Sequence, residues 1–255
     1  MLPKIEQIAK EAGEIIRSGY RRDFGIEFKT GVNNLVTEID KKSEECIINF
    51  IKKEFPTHSI LSEESGSTDK NSDYVWIIDP LDGTTNFAHG FPIFSVSIGV
   101  QKNNETIYGV VYDVMRDVIY SAEKNAGAFA NGRRMNVSRN DDLNKSLLVT
   151  GFPYNIKENP NNAIEKFTAF LMVARAVRRL GSAAIDFCYV ADGIFDGFWE
   201  VSLNPWDIAA GILLVEEAGG IVTNFKGEPI TLSSKEILAS NKLLHNQMIE
   251  ILQNN

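Results

Sequence analysis

Apolar residues recur at steps of three and four near the start of the chain, at Ile5, Ile8, Ala9, Ala12, Ile15, Ile16 and Gly19. That is the stripe of an amphipathic helix. The same spacing at Cys46, Ile47, Phe50, Ile51 and Phe55 predicts a second helix over 43–55, which Pro56 stops. From Tyr74 the period changes to short β-rich runs, 74–79, 94–101, 106–113 and 118–123, divided by Gly, Asn and Asp. These read as a largely antiparallel sheet. Asn131-Gly132 between two apolar triplets predicts a tight hairpin, since both residues tolerate positive φ.

Beyond Leu147-Leu148-Val149 the pattern alternates. Helices are predicted over 163–173, 183–191, 205–218 and 243–252, and strands over 177–180, 194–199, 221–224 and 237–239. Pro205 at a helix start and Gly219-Gly220 past its end match the asymmetry of helix termini. The expectation is an α+β protein in one compact unit. It has an antiparallel-rich half over 1–145 and an α/β half over 146–255, with no internal repeat and no Pro-, Gly- or Ser-rich linker.

With 255 residues and 44% hydrophobic positions, the chain is long enough to bury a sizeable core. Lys and Arg number 26 against 34 Asp and Glu, a formal charge of −8, which argues against direct nucleic-acid binding. The two cysteines, Cys46 and Cys188, are far apart and lack the spacing of a disulfide framework or a zinc site, which fits a reducing, cytoplasmic setting. No run approaches 18 uncharged apolar residues and the first residues carry charges, so neither a membrane span nor export is expected.

The candidate chemistry lies in acids at strand ends. In Trp76-Ile77-Ile78-Asp79-Pro80-Leu81-Asp82-Gly83-Thr84-Thr85-Asn86-Phe87 an apolar strand ends on one carboxylate, and a second follows three residues on. At roughly 4 Å two carboxylates repel by about 4 kcal/mol at an effective dielectric of 20, so such a pair needs a proton, a cation or a metal. No Lys or Arg lies in the run, and all-oxygen donors suit Mg²⁺ before Ca²⁺. Taken alone, Asp-x-x-Asp-Gly is also the composition of an Asx turn. Ser62-Glu63-Glu64-Ser65 follows an apolar strand; Asp40 stands just before the second helix, where an N-cap is the plain reading; and Asp207 sits in the first turn of the Pro205 helix.

Taken in order, these segments carry a resemblance. Lys29 with Val36-Thr37-Glu38-Ile39-Asp40, then Ser62-Glu63-Glu64-Ser65, Asp79 through Phe87, Leu180-Gly181-Ser182-Ala183-Ala184, and Pro205-Trp206-Asp207 with Ala218-Gly219-Gly220 resemble the inositol monophosphatase family of Mg²⁺-dependent, lithium-sensitive sugar phosphatases. The resemblance spans almost the whole chain and implies a layered αβαβα sandwich. It implies two or three Mg²⁺ ions: Glu63, Asp79 and the Leu81 carbonyl around the first, Asp79, Asp82 and Asp207 around the second, and Glu63 with water around a weaker third. Catalysis would rest on Glu63, on Thr84 and on Asp40 behind it, which orient and help deprotonate the attacking water. Gly83, Thr84 and Thr85 would receive the phosphate on their backbone N–H groups. Lys29, Gly181, Ser182, Ala183 and Glu200 would complete the substrate site, with Glu200 accepting a substrate hydroxyl. A small phosphorylated polyol or sugar is the implied partner, and a homodimer the implied assembly.

Ser62 and Asn34 depart from the family's usual Gly and Asp, and neither is an implied metal ligand. His58, His89 and His245 are too scattered to form a ligand set, and Cys188 and Met172 read as core. A haloacid-dehalogenase-type phosphatase also ends a strand on two aspartates, but separates them by one residue where this chain has two. Fructose 1,6-bisphosphate, NADP⁺ and histidinol phosphate are alternative substrates, with Arg175, Arg178 and Arg179 as candidate contacts to a second phosphate. A regulatory protein that binds the transcription machinery is the alternative outside enzymology.

Overall fold

The computed structural model describes residues 1–28 and 35–255, so Lys29 and Asn34 lie outside the described residues. Helices α1 (Leu2–Gly19) and α2 (Glu38–Glu54) are separated in sequence by the antiparallel pair β1 (Ile26–Phe28) and β2 (Leu35–Thr37). Next come β3 (Ser59–Ser62), β4 (Gly66–Thr68), β5 (Tyr74–Asp82), α3 (Thr84–Ala88), β6 (Ser95–Lys102), β7 (Glu105–Asp113), β8 (Val118–Glu123), β9 (Gly127–Ala130) and β10 (Arg133–Arg134). The chain continues through β11 (Leu147–Thr150), α4 (Ala163–Val173), β12 (Ala176–Arg178), α5 (Ala183–Ala191), β13 (Gly197–Val201), α6 (Pro205–Glu217), β14 (Ile221–Thr223), β15 (Glu236–Ser240) and α7 (His245–Gln253).

Among the described residues the strands form one eight-stranded sheet, ordered β10-β9-β8-β7-β6-β5-β3-β4, and one five-stranded sheet, ordered β12-β11-β13-β15-β14. The larger is antiparallel except where β3 runs parallel to β5; in the smaller, β11 runs parallel to both β12 and β13. α1 and α2 cover the outer face of the large sheet, burying Ile5, Ile8, Ile16, Ile47 and Ile51 against Trp76, Ile78, Ile98 and Tyr112. α5 and α6 lie between the two sheets, and α4 and α7 close the far side. The order of layers is therefore αβαβα.

One contact fixes the middle layer. Gly99 and Gly109 pair across β6 and β7. A Cβ on Gly99 would stand 2.7 Å from the Cβ of Ala209, and one on Gly109 would stand 2.8 Å from the carbonyl oxygen of Ala210. Two glycines side by side thus let α6 rest on the sheet backbone, which sets the position of Asp207 in its first turn.

The expected elements recur with shifted ends. The second helix begins five residues before the predicted Ser43, because Thr37 caps it: the Thr37 hydroxyl accepts from the Ile39 and Asp40 amides, and Asp40 Oδ2 accepts from the Thr37 amide at 2.8 Å. Asp40 is accordingly the third residue of the first turn rather than the cap. The strand expected from Ile194 begins at Gly197. The Ile194 and Phe195 amides both donate to the Tyr189 carbonyl and wrap the end of α5 instead of joining a ladder. Met172 is not core: it is 81% exposed. α4 buries Lys166 and Phe170, and two residues further round a 3.6-residue helix points the opposite way. Cys188 is buried as expected. His58 accepts from Trp76 Nε1 at 3.0 Å, and His245 lies between the hydroxyls of Thr223 and Ser240, so both are satisfied polar residues.

Candidate active site

A cleft of about 360 Å³ opens where the end of β5, the start of α5, the start of α6 and the loop after β11 meet. Its floor depends on a defect in β5. Asp79 pairs with Ser97 and Asp82 with Ser95, so three residues of β5 advance against two of β6. In a regular strand, positions three apart face opposite sides of the sheet; one extra residue turns both carboxylates to the same side. Pro80, which lacks a ladder donor, falls inside this bulge.

Each acid is then tied down. Asp79 Oδ1 accepts from the Leu81 amide at 3.1 Å. Asp82 Oδ2 accepts from the Ser182 hydroxyl at 2.5 Å and the Ala184 amide at 2.9 Å, which joins the end of β5 to the start of α5. Asp207 Oδ2 accepts from the Asn204 amide at 2.7 Å and closes the cap of α6. α2 braces the remaining acid from outside: the Ser43 hydroxyl donates to the Pro80 carbonyl at 2.7 Å, and Glu44 Oε1 accepts from the Glu64 and Ser65 amides at 3.2 and 3.0 Å. Glu63 lines the cleft; Glu64 does not line it, and its amide is taken by Glu44.

Burial and the neighbouring charges act together on these acids. Burial, then Glu63, Asp82 and Asp207, raise Asp79 well above the carboxylate range. Asp82 is pushed to about 6 by burial, against the hydrogen bonds from Ser182 and Ala184, and burial also pushes Asp207 to about 8. Among the described residues no three Asp, Glu, His or Cys side chains already stand as a finished metal-ligand set. What the structure provides is four carboxylates, Glu63, Asp79, Asp82 and Asp207, on the walls of one cleft, with the Leu81 carbonyl beside them. Hard oxygen donors carrying excess negative charge fit a divalent cation such as Mg²⁺.

Thr84 lies at the edge of this floor. Its Oγ1 is 2.9 Å from Asp40 Oδ1 and 3.0 Å from the Leu81 carbonyl, while Thr37 holds Asp40 from the other side. Asp40 is fully buried and does not reach the cleft; it acts on it through Thr84. Burial raises its pKa, partly offset by the bonds from Thr37 and Thr84. Gly83, at φ +94°, turns the chain from β5 into α3, and a Cβ there would press on the carbonyl oxygens of Ile93 at 3.0 Å and Gly181 at 3.2 Å.

Of the residues singled out in the sequence, Glu63, Asp79, Leu81, Asp82, Gly83, Thr84, Thr85, Gly181, Ser182, Ala183, Glu200 and Asp207 all line the cleft. Of the three arginines only Arg179 does; Arg178 Nη1 donates to the Val177 carbonyl at 3.2 Å. Sequence reasoning missed Asp186, Tyr154 and Gly151. Asp186 is buried on α5 with Oδ1 lacking a hydrogen-bond partner, and burial raises its pKa well above the usual range. Gly151 seats Glu200, because a Cβ there would overlap both carboxylate oxygens of that residue. Gly151→Ala is therefore expected to displace Glu200 and, if Glu200 accepts a ligand hydroxyl as the resemblance implies, to raise KM roughly tenfold, the loss of about one hydrogen bond. Steady-state kinetics check this, and an unchanged KM would separate Glu200 from substrate recognition. A glycine after an apolar strand was the available signal, but its partner is 49 residues away.

Layers and cleft together define an αβαβα protein whose carboxylate-lined site suits a divalent cation. A model of the inositol monophosphatase family matches residues 2–255, and the chain belongs to that family. An inositol-1-monophosphatase of Synechocystis is 43% identical over 94% of this chain and 84% of its own length. A protein named Nus factor SuhB from Pasteurella multocida is 42% identical over 96% of this chain and 92% of its own. The crystal structure of the extragenic suppressor protein suhB from Bartonella henselae superposes with a TM-score of 0.95 at 35% identity, covering 99% of this chain and 98% of that one.

Proposed function

We propose that the chain is a Mg²⁺-dependent phosphomonoesterase that releases phosphate from myo-inositol monophosphate or a related small sugar phosphate. The observation that carries the reading is the β5 bulge, which sets Asp79 and Asp82 in one cleft with Glu63 and Asp207. Glu63, Asp79 and the Leu81 carbonyl would hold one Mg²⁺, Asp79, Asp82 and Asp207 a second, and Glu63 a weaker third. When bound, the ions neutralise the carboxylates and phosphate and make water acidic enough to attack phosphorus.

The protein's own groups orient the reaction. Asp40, made more basic by burial, holds the Thr84 hydroxyl and takes up a proton relayed through it. Backbone N–H groups of Gly83, Thr84 and Thr85 enter the first turn of α3, where such donors lack intrahelical acceptors and receive phosphate oxygens. Glu200 accepts a substrate hydroxyl, Gly181, Ser182 and Ala183 form the wall beside it, and Lys29 steers the phosphate. The cleft draws residues from both 1–145 and 146–255, which we take as two halves of one catalytic unit. Lithium sensitivity, a homodimer and a cytoplasmic setting accompany this reading; no helix among the described residues is long and apolar enough to cross a membrane.

Phosphate release from inositol 1-phosphate, fructose 1,6-bisphosphate, NADP⁺ and histidinol phosphate, with Mg²⁺ and with chelator, tests the proposal; no Mg²⁺-dependent release from any of them would reject it. Arg179 at the cleft favours substrates with a second phosphate. Arg179→Ala is expected to lower turnover of the bisphosphate and NADP⁺ relative to inositol phosphate, and unchanged ratios would remove it as a selector. The similarity to proteins named Nus factor supports a second reading, a partner of the transcription machinery, which co-purification with RNA polymerase in the absence of phosphatase activity would favour.

A further inference from the structure

Eight large apolar or aromatic side chains are exposed among the described residues: Ile26, Phe91, Tyr154, Ile164, Leu171, Met172, Ile194 and Leu243. Only Tyr154 lines the acidic cleft. It stands in the loop that leaves the end of β11, between Pro153 and Asn155, and the Ile156 amide closes the turn on the Pro153 carbonyl at 3.0 Å. More than half of the residue is open to solvent, although it lines the same cleft as Glu63, Asp79, Asp82 and Asp207. The ring therefore stands at the mouth of the cleft. No hydrogen bond of its hydroxyl occurs among the described residues.

We infer that Tyr154 is a specificity residue, its ring lying against the carbon skeleton of the substrate's alcohol part and its hydroxyl donating to a substrate oxygen. The inference rests on the reading of the cleft as a polyol phosphate site. An aromatic face is matched by the C–H face of a saturated ring, and buries it without asking for a fixed set of hydroxyls. A phenol keeps its proton near neutral pH and so serves as a donor. Its hydroxyl adds a donor at the mouth of the cleft, away from the Gly83–Thr85 amides read as receiving the phosphate, where the oxygens of the alcohol part can accept. Nothing in the core depends on the ring, so its removal should leave folding intact.

The test is the apparent affinity for inositol 1-phosphate, read as its KM or, where turnover is absent, by calorimetry, and for inorganic phosphate, read as its inhibition or dissociation constant, in the presence of Mg²⁺, for the full-length wild type, Tyr154→Phe and Tyr154→Ala. Inorganic phosphate has no carbon skeleton, so the ratio of the two affinities isolates the alcohol part. Tyr154→Ala is expected to reduce that ratio roughly tenfold, and Tyr154→Phe by about a third of that effect on a logarithmic scale, having kept the ring and lost the donor. A ratio within twofold of wild type in Tyr154→Ala, or a wild type that binds both compounds equally, would overturn the inference. Binding without turnover would instead reject the phosphatase reading and leave the Tyr154 result to be judged on its own ratio.

Discussion

Asp207→Asn is expected to make the protein more stable in chelator while removing most of its Mg²⁺-dependent turnover. The two effects have one cause. Asp207 shares the cleft with Glu63, Asp79 and Asp82, and burial together with Glu63 and Asp82 raises its pKa to about 8. At neutral pH and without a cation, the buried acid must take up a proton on folding, a cost that rises with pH above its unfolded pKa and that the amide does not carry. Its structural bond survives, because an amide oxygen can accept from the Asn204 amide as the carboxylate does at 2.7 Å. An unfolding midpoint raised by roughly 2–4 °C for each kcal/mol gained is the expected reading in chelator. Added Mg²⁺ should then raise the midpoint less than in wild type, since ligand binding stabilises only in proportion to affinity. Turnover should fall by about 100-fold or more, the scale of losing one cation's stabilisation of transferring charge. A lower midpoint in chelator would mean the cap was lost rather than a charge, and an unchanged Mg²⁺ response would remove Asp207 from the ligand set.

Thr84→Val removes one hydroxyl and nearly conserves shape, yet should reduce kcat by about 10²–10⁴ with KM altered only a few fold. The Thr84 oxygen is the link between Asp40, which is sealed from solvent, and the cleft, 2.9 Å from Asp40 Oδ1. Without it the Asp40 carboxylate keeps its bonds to Thr37 but has no path to a reacting group. A stability loss of about 1–3 kcal/mol should accompany the change, from the buried oxygen left without a donor. Thr84→Ser restores the hydroxyl and should recover most of the rate. Near-normal kcat in Thr84→Val would show that Asp40 serves only to cap α2.

Much of this was legible beforehand because it is local. The 3.6-residue stripe from Ile5 to Gly19 forms α1, and the Asn131-Gly132 turn has both residues at positive φ, 46° and 79°, with Ala130 paired to Arg133 across it. The acids from Asp79 to Asp82 could be picked out as chemistry because no cation accompanies them within the run. Their convergence on one point was expected from Pro80 ending the strand after Asp79; the structure reaches it another way, since β5 continues to Asp82 and the bulge against β6 turns both acids to one side. The start of α2 was missed because its apolar stripe begins after its cap, and Met172 was misplaced because a two-residue offset from Phe170 crosses the helix.

Alone, the order of residues determined where strands and helices form, which segments carry acids without counter-charges, and hence the family and the class of chemistry. Those properties depend on neighbours a few positions apart, where backbone geometry fixes the period. The tertiary structure decided that Glu200 rests on Gly151, that α6 sits on Gly99 and Gly109, and that Tyr154 stands over the cleft. Each is a contact between elements far apart in the chain, set by close packing and by the direction in which each layer meets the next, and no local periodicity encodes it.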